Sequence, residues 1–156
     1  VETVDLGRPR KEVALPAAVE RLCIGGGGRY LVGVIKTLRQ VVVIDVQEAK
    51  IHKLLPADDD NVLVAAGATK FVVWLGTKSI FSRYDLATCT RELTTAGPAV
   101  KIRGMAMGCT SEGPLLLAVT GDFQPRPLIY DLKTLKASGI EFDKNAHHDF
   151  RGELGI

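Results

Sequence analysis

Aromatic side chains are scarce in this 156-residue chain, with five Phe, three Tyr and one Trp making 6% of the residues. The core must then be aliphatic and largely β-branched, a composition that suits strands. Cysteine is sparse too. Cys23, Cys89 and Cys109 are odd in number and far apart, with no Cys-x-x-Cys and no Cys/His spacing. That leaves no structural zinc motif and fits a reducing compartment such as the cytoplasm. Charge of one sign is missing: 20 Lys and Arg stand against 18 Asp and Glu, for a net +2. Nothing in that balance predicts a phosphate-backbone footprint, so no nucleic-acid partner is expected. No apolar run approaches the roughly 20 residues of a membrane span, so no membrane partner is expected either. The first residues, Val1-Glu2-Thr3-Val4-Asp5, are not a signal peptide and include no initiator Met. The chain is therefore expected to be cut from a longer polypeptide.

Helix signals are also missing. Apolar stretches are interrupted by Gly, Pro or β-branched runs, and no capping residue precedes a 3.6-residue period. What the chain does have is a repeat. Four short apolar runs end in an aspartate followed by an aliphatic residue, at Asp5-Leu6, Asp45-Val46, Asp85-Leu86 and Asp131-Leu132. The aspartates are 40, 40 and 46 residues apart. A period of about 40 with strands inside it marks a stacked or radial repeat. Between Glu20 and Leu55 four segments suit strands: Arg21 to Ile24, Tyr30 to Ile35, Val41 to Ile44 and Lys50 to Leu55. The middle two are almost continuously apolar, as strands covered on both faces are, and the last alternates as a half-exposed strand does. The plan recurs at Asn61 to Ala65, Phe71 to Leu75, Ser79 to Tyr84 and Arg91 to Thr95. It recurs again at Ile102 to Met107, Leu115 to Thr120, Arg126 to Tyr130 and Ser138 to Phe142. The third copy is longer in two loops, Gly108 to Pro114 and Gly121 to Pro125. Insertions there add little closure entropy.

Four strands in about 40 residues, a glycine turn between the first two and an aspartate closing the third resemble a β-propeller blade. Gly28-Arg29-Tyr30-Leu31-Val32 resembles the first hairpin of WD40-type blades, and Thr69-Lys70-Phe71-Val72-Val73 is its second copy. The Asp-Leu and Asp-Val pairs stand where such blades carry Trp-Asp. The residue before is Val4, Ile44, Tyr84 or Tyr130, never Trp, and no Gly-His occurs. The chain is similar to the looser WD40-like, YncE-like and quinoprotein-like bacterial propellers. The resemblance implies an all-β fold of four-stranded antiparallel blades in one domain, residues 1–156. The blades run over 20–56, 61–97 and 101–142, with half a blade at 1–16 (Glu2 to Leu6 and Arg10 to Leu15) and the first strand of another at 149–156. Three arrangements stay open: a fragment of a longer propeller, a half-propeller that a second copy completes, and a slightly incomplete four-bladed ring.

Asp5, Asp45, Asp85 and Asp131 are expected to be structural. A carboxylate at the end of a strand accepts backbone N–H bonds in the tight turn that follows. Asp58-Asp59-Asp60 lacks the distal Glu of a Ca²⁺ loop and reads as solvated loop charge. His147 and His148 beside Asp149 would point to opposite faces of a strand, so no metal site is expected. His52 is expected to face solvent, Trp74 to lie in the core, and Gly25 to Gly28 to form a hairpin turn, since no helix follows to bind a phosphate.

No Gly-x-Ser-x-Gly, His-Glu-x-x-His or nucleophile–base pairing is present, and no cofactor is implied. The favoured reading is a non-enzymatic scaffold that binds a protein or peptide partner through one face. Loops between second and third strands and loops joining blades emerge on the same face in propellers. Lys36, Arg39, Lys78, Asp122, Phe123, Gln124 and Arg126 stand in or beside them, with Phe123 the natural anchor. The competing reading is part of a propeller enzyme (a lyase, hydrolase or quinoprotein-type dehydrogenase) with its site in the central channel. There only Glu20, Arg21, Lys101 and Arg103 could contribute. A structural self-assembly unit is the third reading, its partner a homo-oligomer that completes the ring.

Overall fold

The computed structural model describes residues 10–120 and 126–140. Twelve strands follow in chain order. The first sheet holds β1 (Leu22–Gly25), β2 (Tyr30–Ile35), β3 (Gln40–Asp45) and β4 (Lys50–Pro56). The second holds β5 (Val62–Ala66), β6 (Lys70–Leu75), β7 (Ile80–Asp85) and β8 (Arg91–Ala96). The third holds β9 (Ile102–Ala106), β10 (Leu115–Val119), β11 (Arg126–Asp131) and β12 (Lys136–Ala137). Every sheet is a four-stranded antiparallel meander in sequence order. Among the described residues the only helical pieces are two 3-10 turns, Gly26–Gly28 and Lys36–Leu38. No helix there is long and apolar enough to cross a membrane.

The sheets stack face to face in chain order. Tyr30, Val32, Val34, Val41 and Val43 of the first sheet pack on Val62, Val64, Ala66, Phe71 and Val73 of the second. The other face of the second sheet brings Leu63, Ala65, Val72, Trp74 and Phe81 against Ile102, Leu115, Leu117, Val119 and Tyr130 of the third. That is why β5 and β6 are buried on both faces whereas β10 alternates buried and exposed; the second face of β2 and β3 is covered instead by Ala17 and Val19, packed on Ile35 and Val42. Trp74 lies in the core, as expected, with Phe81 tilted against its ring at 4.5 Å.

The first strands contact one another along the inner side, β1 with β5 and β5 with β9. Their turns interlock at one end. Gly26 N–H donates to the carbonyl of Gly67 (2.8 Å), Ala68 N–H to that of Ser111 (2.8 Å) and Gly27 N–H to that of Cys109 (2.9 Å). Gly26, Gly27 and Gly28 all have positive φ, which lets the hairpin turn bring its N–H groups inward.

The strand expectations need two corrections. Arg10 to Leu15 forms no strand: Pro16 follows it, and no neighbouring edge among the described residues pairs with it. The fourth strand of the third sheet is Lys136–Ala137, not Ser138 to Phe142, because the chain breaks at Ser138-Gly139, with Gly139 at φ +74. Residues 141–142 lie outside the described residues.

Candidate functional site

The turns after strand three share one geometry. Asp45 Oδ1 accepts Glu48 N–H (3.0 Å), Asp85 Oδ1 accepts Thr88 N–H (2.9 Å) and Asp131 Oδ1 accepts Thr134 N–H (2.8 Å). The residue four after each aspartate, Ala49, Cys89 or Leu135, is left-handed (φ 51, 55 and 53). Asp45 also accepts Arg29, and Asp85 accepts Lys70 at 3.1 Å, whereas Asp131 relies on the Thr134 hydroxyl. Backbone N–H of Thr88 and Thr134 lead the interactions that hold Asp85 and Asp131 below the usual carboxylate range. Asp5 lies outside the described residues.

These turns also meet the preceding sheet. Leu86 and Leu132 are buried between sheets. The carbonyl of Ala87 takes His52 Nε2 at 2.7 Å, and the matching carbonyl of Lys133 takes Arg83 Nη1 at 2.5 Å. His52 is thus half-buried against Tyr30 and the next sheet, where solvent was expected. The cause is a β-bulge. Ile51 and Lys53 pair with Ile44 and Val43, so His52 is the extra residue and its side chain is re-aimed. Glu92 is the extra residue at the same place in the second sheet and accepts Lys70 and Arg83.

At the opposite end lie the turns between strands two and three and the loops that join sheets. Lys36, Arg39 and Lys78 are gathered there. Arg39 closes the β2–β3 turn in the left-handed region, as Ser79 does after β6. Its guanidinium grips Asp58 Oδ1 (2.6 Å) and Asp60 Oδ1 (3.1 Å), and Lys78 Nζ stands 4.0 Å from the other oxygen of Asp58. The Arg39 hydrogen bond and charge hold the Asp58 carboxyl below its ordinary range.

Asp59 corrects the reading of the acidic triplet as solvated charge. Asp58 and Asp60 are exposed, but Asp59 is buried. Its carboxylate accepts Asn61 N–H (2.8 Å), Thr77 N–H (3.0 Å) and Lys78 N–H (3.1 Å). Burial alone would push its carboxyl up. The donors of Asn61, Thr77 and Lys78 outweigh that and hold it down. The joining loop is therefore fastened to the first sheet's turn through Arg39 and to the second sheet's turn through Asp59. A cleft of about 170 Å³ opens beside it, lined by Glu20, Arg21, Lys36, Arg39, Asp60 and Asn61.

Arg126 opens β11 opposite Val119, at this same end. Asp122, Phe123 and Gln124 lie outside the described residues, as do His147 and His148. Of the channel candidates, Glu20 and Arg21 border the cleft, and Lys101 and Arg103 are exposed. Sequence reasoning missed Asp59, Arg83 and Glu92. For Asp59 one signal was available, an aspartate two residues before Asn61, the spacing of an Asx turn.

Three four-stranded antiparallel sheets, each laid by its first strand on the sheet before, are the blades of a β-propeller. No protein-family model matches the chain, and no curated protein matches it. Solved structures do. The β-propeller domain of Myceliophteria thermophila Cps50 (Swd1) aligns with TM-score 0.56 and 12% identity over 76% of this chain and 37% of its own. Kuenenia stuttgartiensis hydrazine synthase aligns with TM-score 0.58 and 12% identity over 77% of this chain and 34% of its own. The RRP9 WD40 repeats align with TM-score 0.58 and 10% identity over 80% of this chain and 38% of their own. The chain thus spans little more than a third of each. At such identities the likeness speaks to fold.

Proposed function

We propose that this chain is a non-enzymatic propeller scaffold that binds a protein or peptide through the end carrying Lys36, Arg39 and Lys78. The observation that carries the reading is the fastened loop Ala57 to Asp60, which holds cations and carboxylates in fixed places around a cleft. Preorganised side chains of both signs bind with little ordering cost and select partners by charge complementarity. The state of the titratable groups supports binding over catalysis. Asp58 and Asp59 are held ionised by donors, which makes them poor bases near neutral pH. Burial pushes the Cys23 and Cys89 thiols up to about 11, far from nucleophilic thiolates. Asp45, Asp85 and Asp131 act in this reading as turn clamps and take no part in binding.

Peptide display gives the test. Binders selected on the wild-type protein should lose at least about tenfold in affinity, about 1.4 kcal/mol, on the variant Lys36→Glu/Arg39→Glu/Lys78→Glu. Selection that yields only peptides indifferent to this variant would place binding elsewhere. The likeness to hydrazine synthase favours the second reading, part of a propeller enzyme with Glu20, Arg21, Lys101 and Arg103 at its channel. Its mark would be a catalytic rate lost in Glu20→Gln but kept in the loop variant.

A further inference from the structure

The junction between the first two sheets leaves open a space that the next junction fills. Register equates positions in the two sheets, because Tyr30 pairs with Asp45 and Lys70 with Asp85. Val34 and Val41 of the first sheet thereby stand where the second has Trp74 and Phe81. Ala57 N–H donates to the Arg39 carbonyl as Gly97 N–H donates to that of Ser79, so Ala57 matches Gly97. At the second junction the Trp74 ring extends to Gly97 and lies where a side chain there would stand. Leu63 and Ile102 belong to the same packed cluster. At the first junction the shorter Val34 leaves that volume free, and the cleft of about 170 Å³ opens beside Val34, Ala57 and Val62.

The walls differ as much as the floor. Ile24 pairs with Leu31 as Ala66 pairs with Phe71, so Glu20 and Arg21 of the cleft occupy the places of Val62 and Leu63. Lys36 and Arg39 stand where the second sheet has Gly76 and Ser79. The space is too small for a drug-sized ligand, which takes roughly 300–1,000 Å³, and suits a single side chain. An aliphatic side chain would leave the charged walls facing hydrocarbon. A carboxylate would meet Glu20 and Asp60, while Arg39 is already gripped by Asp58 and Asp60. An aromatic ring with a polar tip satisfies both floor and walls. Its faces attract the cations Arg21, Lys36 and Arg39, and its O–H or N–H finds acceptors in Glu20 and Asp60. The buried Nε1 of Trp74, by contrast, has no hydrogen-bond partner among the described residues.

We propose that the cleft between the first two sheets receives a tyrosine or tryptophan side chain of a protein partner, seated as Trp74 is seated one junction further on. This rests on the reading of this end as the binding face and names what the partner brings to it.

Peptide display with the variant Val34→Trp tests it. That substitution fills the cleft and leaves every charge of the face in place. Peptides selected on the wild-type protein should share a Tyr or Trp and lose at least about tenfold in affinity when it is replaced by Ala. They should lose as much on Val34→Trp. Peptides that bind Val34→Trp as tightly as wild type but fail on Lys36→Glu/Arg39→Glu/Lys78→Glu overturn this inference and leave the binding face standing. Peptides indifferent to both variants overturn both readings, and a shared acidic or aliphatic anchor overturns this one. Methyl NMR on the wild type decides the matter even if Val34→Trp folds poorly. N-acetyl-tyrosinamide should shift the signals of Val34, Ala57 and Val62, and N-acetyl-leucinamide should leave them in place. Equal shifts from the two probes, or none from either, overturn the assignment.

Discussion

Asp59→Ala isolates the fastening of the joining loop. The carboxylate receives the N–H groups of Asn61, Thr77 and Lys78, and alanine leaves all three without that acceptor. A net hydrogen bond to a charged group is worth about 1.5–3 kcal/mol. The three share one anion and do not add fully, so about 3 kcal/mol in total is expected. For a chain of this size that lowers the melting temperature by roughly 6–12 °C. Asp59→Asn keeps one carbonyl oxygen and should lose about half as much. The pH dependence has a definite sign. The folded carboxyl lies below its unfolded value of about 3.9, so its contribution is complete above that pH and is lost as pH falls through the depressed value. The stability gap between wild type and Asp59→Asn should therefore be constant at neutral pH and close below about pH 4. Urea unfolding at several pH values, with m unchanged, measures both. A loss under about 1 kcal/mol in Asp59→Ala at neutral pH, or a gap indifferent to acid, would refute the assignment.

The repeat position after the aspartate should behave oppositely in two sheets. Leu86→Ala, at a site 1% exposed, should cost about 2–5 kcal/mol, and Val46→Ala, at a site 47% exposed, less than about 1 kcal/mol. Equal losses in urea would sink that account. Gly97→Ala sets a Cβ into the Trp74 ring and 3.1 Å from Phe81, for a cost of about 1–3 kcal/mol and a shift in indole fluorescence. Native Cys23 and Cys89 should resist a thiol-directed disulfide reagent at pH 8, since both thiols ionise only near 11; mass spectrometry showing rapid labelling of either would contradict their burial.

The strands and their stacking were legible because β2, β3, β5 and β6 are largely apolar runs bounded by turn residues. The gathering of Lys36, Arg39 and Lys78 was legible too, since a meander must send alternate turns to opposite ends. What eluded the sequence depends on groups distant in the chain. Asp58, Asp59 and Asp60 are chemically identical, and only the N–H groups of Thr77 and Lys78 from the next sheet decide which one is buried. His52 sits in a run whose alternation predicts an outward side chain, and one extra residue in the ladder reverses that.

The bond from Gly27 N–H to the carbonyl of Cys109 passes over the second sheet and ties the first to the third. In a linear array each unit feels only its neighbours, and terminal units can melt alone. A tie that skips a unit removes this freedom. The three sheets should open as one cooperative block, with native-state hydrogen exchange reaching a common limit in β2, β6 and β10 and no gradient toward either end.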